Sequence, residues 1–104
     1  MPQLGFIGAG PVGTTFAVRL SEQGYRVAAV ADLSAASARR LAERIPGCQV
    51  CTENQAVLDA ADIVFITTAD DVIAPVCAAL TWRAGQTALH CSGASTTASL
   101  EAAR

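Results

Sequence analysis

The segment Gly8-Ala9-Gly10-Pro11-Val12-Gly13 constrains what this chain can fold into more than any other stretch. Glycines at this spacing allow a tight turn and leave backbone that other atoms can approach closely. Leu4 to Ile7, just before it, is a short apolar run, and Val12, Phe16 and Leu20 recur at helical spacing through Pro11 to Gln23, just after it. The turn therefore joins a strand to a helix, and the expected inward stripe of that helix is Val12, Phe16 and Leu20. Pro11 suits a first helical position because its missing N–H would have no intrahelical acceptor, and Gly24 suits the left-handed residue that closes the helix.

The same alternation runs on to the end of the chain. Tyr25 to Ala31 reads as a second strand, and Ser34 as the N-cap of a helix with Ala38, Leu41, Ala42 and Ile45 inward, stopped by Pro46-Gly47. Cys48 to Cys51 is a short third strand, and Thr52 with Gln55 has the spacing of a capping box opening a helix from Glu53 to Asp59. Ile63 to Thr67, unbroken in its apolar character, fits a central strand covered on both faces. A helix from Asp71 to Leu80 contains Pro75, with Asp70 and Asp71 as its cap and first turn. Thr87 to Cys91 is a fifth strand, and Thr96 to Arg104 begins a last helix. Strands alternating with helices require a parallel sheet with right-handed crossovers, so the expected fold is a Rossmann-like, doubly wound α/β domain of strand order 3-2-1-4-5. With 104 residues and no repeat or linker, residues 1–104 form one domain, leaving no room for a second full domain that would hold a substrate.

In that setting each glycine has a separate task. Gly8 makes the turn, Gly10 lets a pyrophosphate approach the backbone, and Gly13 lets the helix pack closely on the sheet. The first helical turn, Pro11 and Val12 included, then presents free amides and the positive end of the helix dipole to the phosphates. Asp32 lies about 20 residues on, at the end of the second strand, where a carboxylate accepts from a ribose 2′-OH and repels a 2′-phosphate. It favours NAD over NADP, with Arg39 and Arg40 on the following helix as the opposing signal. Thr67 and Thr68, at the end of the fourth strand, are read either as partners of the second ribose or carboxamide or as a strand end and helix cap. His90, the sole histidine, is a candidate general acid or base, against the alternative of a packed strand residue; Ser92, at the strand mouth, is the better placed candidate to touch a substrate.

Other chemistries are excluded or disfavoured. Cys48 and Cys51 have CxxC spacing, but residues three apart on a strand face opposite ways and no second CxxC completes a tetrahedral site, so no metal is expected and the four cysteines read as reduced and structural. The chain has no lysine, which excludes a Schiff-base or P-loop lysine within it. A net charge of −2 gives no basic stripe for nucleic acid or an anionic membrane, and the absence of a signal-like N-terminus makes the expected compartment cytoplasmic. Counting glycine, the chain is roughly 60% apolar against about 45–50% for an average soluble domain, and its 15% charged residues are few. Such a surface suits a domain that sits against something else, and a homo-oligomer is expected.

The segments GFIGAGPVG, ITTADD and HCSGA together resemble the N-terminal half of a family of oxidoreductases with a Rossmann-like domain followed by a helical C-terminal domain of unknown function. That family is related to pyrroline-5-carboxylate reductases and β-hydroxyacid dehydrogenases. The resemblance covers essentially the whole chain, departing where Ala69 stands in place of a proline common in the family. It implies cofactor binding by Gly8, Gly10, Gly13 and the loop after the fourth strand, and a substrate cleft completed by a helical domain this chain does not contain. The expected function is NAD(P) binding in an oxidoreductase that transfers hydride to or from a small-molecule substrate, the chain alone being inactive. The other reading is a non-catalytic dinucleotide-binding or redox-sensing module.

Overall fold

The computed structural model describes residues 2–68 and 70–90. Strands β1 (Gln3–Ile7), β2 (Arg26–Ala31), β3 (Gln49–Val50), β4 (Ile63–Ile66) and β5 (Thr87–His90) alternate with helices α1 (Pro11–Glu22), α2 (Ala35–Glu43), α3 (Asn54–Ala60) and α4 (Asp70–Ala79). All strand pairs are parallel, and the sheet order is the expected β3-β2-β1-β4-β5. The order reverses between β1 and β4, where crossovers to opposite sides leave a crevice at the strands' carboxyl ends.

Each face of the sheet buries its own apolar cluster. Leu4, Phe6, Val27 and Val30 meet Ala17 of α1 and Ala38 and Leu41 of α2 on one face, where the register partners Phe6 and Phe65 stack with centroids 4.8 Å apart. On the other, Ile7, Val64 and Ile66 meet Val57 and Leu58 of α3 and Cys77 of α4. Fully burying a side chain of this size is worth about 1.5–3 kcal/mol, so β4, packed on both faces, is a strand the fold cannot dispense with. Approach on the second face is close: a Cβ on Gly5 would lie 2.6 Å from Val57 Cγ1 and 2.9 Å from Ala61 Cβ.

Four local expectations are corrected. The inward face of α1 is Gly13 and Ala17, while Val12 and Phe16 face solvent at 52% and 44% exposure. The helix sits too near the glycine turn and the end of β4 for bulky side chains, so closeness of approach, rather than bulk, chose the buried face. The capping box does not form: Glu53 is the N-cap of α3 and makes no side-chain cap bond. Gln55 instead accepts from the Thr81 amide at 2.9 Å and donates to the Thr81 carbonyl at 3.1 Å, tying α3 to the loop before β5. Finally, β3 is two residues long, with Cys48 and Cys51 outside it. Cys48 still packs on the first cluster and Cys51 on the second, on opposite faces as expected. Pro75 lies inside α4, which begins at Asp70 rather than being capped by it. The expected helix from Thr96 lies outside the described residues, as does Cys91.

The loop before β5 also closes α3. Gln86 Nε2 donates to the carbonyls of Leu58 and Ala61 at 2.7 and 2.8 Å, and Arg83 Nη2 reaches the same two oxygens at 3.3 and 3.0 Å. Side chains thus supply Ala61 O with donors and add to the bond that Leu58 O already accepts from the Ala61 amide at 3.2 Å, reinforcing the helix end.

Candidate functional site

The glycine turn is held in place from three sides. Gly8 adopts φ +109, a conformation that side chains rarely tolerate, and its amide donates to Ala31 O at 2.8 Å. Thr67 closes the second side: its amide donates to Ile7 O at 2.9 Å and its hydroxyl to Gly8 O at 2.7 Å. Of the two readings of Thr67, the structure places its hydroxyl on the loop backbone. Gly13 closes the third, since a Cβ there would lie 2.5 Å from both Gly8 O and Thr67 Oγ1. The start of α1, the glycine turn and the end of β4 are therefore in mutual contact.

Gly10 differs from its neighbours. It is the N-cap of α1 with φ −74 and ψ −173, extended backbone that any residue adopts, and among the described residues nothing lies within 4 Å of where its Cβ would be. No side chain caps α1, its first turn carries no acid, and Pro11 contributes no N–H. The amides of Val12 and Gly13 are left without intrahelical acceptors at the positive end of a 12-residue helix, beside an open space.

Asp32, directly after β2, binds the turn itself. Its Oδ2 accepts from the Ala9 amide at 2.6 Å and its Oδ1 from the Ser34 amide at 2.7 Å. One carboxylate thus fastens the glycine turn to the start of α2, a role additional to the expected ribose contact and invisible in linear sequence. Hydrogen bonds to a charged acceptor are worth about 1.5–3 kcal/mol. Asp32→Ala is expected to destabilise the ligand-free chain by about that amount, because two amides lose their acceptor; unchanged urea denaturation would show that the clasp contributes nothing.

A cleft of about 680 Å³ opens over the carboxyl ends of the first four strands, between Gly8, Asp32 and Leu33 on one side and Asn54, Thr68 and Val76 on the other. Leu33 is fully exposed at its rim. The Thr68 hydroxyl is buried against this cleft with no hydrogen-bond partner among the described residues, a need that a ligand group can supply. Thr52, Glu53 and Asn54, which also line it, carried no site signal in the sequence, where Thr52 and Glu53 were read only as the start of a helix; the β3–β2 pairing brings them there. His90 ends β5, paired with Ile66, and Ser92 lies outside the described residues.

The three described thiols offer no reactive centre. Burial, and secondarily the neighbouring Cys51, pushes Cys48 up to about 11, and burial also raises Cys51 and Cys77, so these thiols stay protonated at neutral pH. Among the described residues no three His, Cys, Asp or Glu side chains are grouped as a metal site would require, and no helix is long and apolar enough to cross a membrane.

A parallel sheet wound in both directions from β1 and β4, with a glycine turn at the reversal, defines a nucleotide-binding type of α/β domain. The sequence profile of the Rossmann-like domain matches residues 2–102, and the chain belongs to that family. No curated protein is significantly similar to it in sequence. Among solved structures it is similar to an imine reductase from Pseudomonas sp., at 25% identity and TM-score 0.79 over 97% of this chain and 35% of that one. It is similar to the UDP-N-acetylglucosamine 3-dehydrogenase of Acidithiobacillus ferrooxidans, at 24% identity and TM-score 0.81 over 98% and 33%. A third is the reductive aminase of Aspergillus terreus solved with NADPH and ethyl-5-oxohexanoate, at 26% identity and TM-score 0.71 over 86% and 31%. The chain thus spans about a third of the length of these structures.

Proposed function

We propose that this domain binds NAD(P) for an oxidoreductase that transfers hydride to or from a small-molecule substrate. Gly10 carries the reading. Its backbone conformation needs no glycine and nothing among the described residues crowds its Cβ, so the reason for a glycine there is an external group pressed against the backbone, beside amides that favour phosphate. Gly8 and Gly13 shape that cradle, Pro11 and Val12 form its helical wall, and Asp32 and Thr68 face the adjoining cleft with acceptors and a hydroxyl. The residues fit the cofactor. Bound there, the nicotinamide would supply or accept the hydride, while the chain's own residues would hold the phosphates and the ribose. The solved relatives support the reading, since all three printed activities are reductions or dehydrogenations and one structure holds NADPH.

Catalysis belongs, in this proposal, to a larger protein in which a helical domain completes the substrate cleft and Ser92 or His90 faces it. The outward Val12 and Phe16 and the position of β5 at the sheet edge support a domain that works against such a neighbour or a second copy, as a cytoplasmic homo-oligomer. Calorimetric titration of the chain with NADH and NADPH tests the central claim. Saturable binding of at least one, at micromolar to sub-millimolar concentration, is expected; no binding of either at millimolar concentration would overturn it.

A further inference from the structure

Three of the six large apolar side chains exposed among the described residues, Val12, Phe16 and Tyr25, lie on α1 or just after it. The end of the helix says why Tyr25 joins the others. Gly24, at φ +94, donates its amide to Ser21 O at 3.0 Å, and the Tyr25 amide donates to Leu20 O at 3.0 Å. By this pair of bonds a glycine closes a helix and turns the next residue back toward the last turn, here Tyr25 toward Leu20. A groove of about 340 Å³ runs along the same helix, lined by Phe16, Arg19, Leu20, Glu22 and Gln23. Phe16 and Leu20, four apart, stand along one flank of it; Arg19 and Glu22, three apart, stand along the other. One edge of the face is therefore apolar, and the other carries both signs of charge.

We infer that this face docks a second copy of the chain, with the two α1 helices antiparallel about a twofold axis that passes between positions 20 and 21. This rests on the homo-oligomer of the proposed function and is independent of the dinucleotide site. A twofold contact uses one patch twice, so that residue i of one copy meets residue j of the other, and the reverse. About that axis position 19 meets 22 and position 16 meets 25. Arg19 then faces Glu22 of the partner subunit at two symmetric places, and Phe16 faces Tyr25 of the partner subunit at two more, with Leu20 near the axis. The rotation also keeps charged edge against charged edge and apolar edge against apolar edge. A parallel pair would set each charge against its own like. An acid and a base three apart thus complement their own reverse, which favours a second copy over an unrelated apolar partner. The aromatic contacts supply attraction and the charges fix the register. The overlap runs from Phe16 to Tyr25 and leaves the first turn of α1 free for the glycine cradle.

Sedimentation equilibrium of the full chain across a concentration series is the measurement. One helix face is a small interface, so the dimer is expected to be half formed at about 100 μM. Arg19→Glu and Glu22→Arg should each weaken association about tenfold, because like charges then meet across the axis. Mixing these two variants should restore it, since one presents two acids and the other two bases, and opposite charges again meet at both places. An interaction within a single helix cannot produce that rescue. Phe16→Ser, an exposed change, should weaken the dimer beyond detection with the circular dichroism unaltered. A parent that stays monomeric at millimolar concentration would overturn the inference and leave the face to some other part of a longer protein. Association indifferent to both charge reversals, or no rescue on mixing, would overturn it by placing the contact elsewhere. Calorimetric titration of the same preparations with NADH separates the two readings, with equal binding expected for the parent and all three variants. Loss of NADH binding from a parent that still dimerises would overturn the dinucleotide reading and leave this one standing.

Discussion

Gly13→Ala is expected to destabilise the chain by about 2–3 kcal/mol, and Gly13→Val to leave it largely unfolded at room temperature. The sign is the informative part. In an ordinary helix interior alanine is the better residue by about 1 kcal/mol. Here the added methyl would lie 2.5 Å from Gly8 O and 2.5 Å from Thr67 Oγ1, and neither can easily yield. Gly8 is anchored through its amide to Ala31 O, and the Thr67 hydroxyl is itself bonded to Gly8 O, so any shift breaks a bond or pushes α1 off the sheet. Overpacking of this kind typically costs 1–3 kcal/mol, and valine adds two more methyl groups to the same space. A domain of this size has only about 5–15 kcal/mol to lose. Urea denaturation followed by circular dichroism measures it; a Gly13→Ala midpoint equal to or above the parent's would mean that α1 does not approach the turn so closely.

The same glycine shows how far the sequence was legible. The alternation of apolar runs and helical spacings is a local signal repeated along the chain, and strand order follows from it through the handedness of crossovers, so the sheet could be read without coordinates. The face of α1 could not, because bulk argues for Val12 and Phe16 while the true constraint is distance to Gly8 and Thr67, residues brought there by the strands. Gln55 shows the same limit. Its spacing from Thr52 is a valid local signal, but a tertiary partner, the Thr81 backbone, claims both ends of its amide. Asp32 was found by its distance from the glycines, yet its bond to Ala9 exists only because β1 and β2 are neighbours. Arg40 stands three residues after Ser37, an ordinary spacing on a helix, and nothing in that spacing tells that the pair flanks the first turn of α1.

Gly10→Val is expected to do the reverse of the Gly13 changes, leaving the fold nearly intact and lowering dinucleotide affinity at least 100-fold. The position precedes a proline, which restricts it to extended backbone, and φ −74 with ψ −173 lies within what a β-branched residue adopts. No atom of the described residues lies within 4 Å of the new Cβ. The folded chain therefore loses only the preference for glycine over valine at an N-cap, of order 1 kcal/mol or less. A bound pyrophosphate needs the space that the isopropyl group takes and the amides behind it, and a loss of about 2.7 kcal/mol or more corresponds to the 100-fold effect. Thermal melting and calorimetric titration of the same preparation separate the two quantities. A folded Gly10→Val chain that binds NADH within threefold of the parent would show that this glycine cradles no phosphate. A melting temperature that falls as far as that of Gly13→Ala would show that Gly10 serves the fold after all.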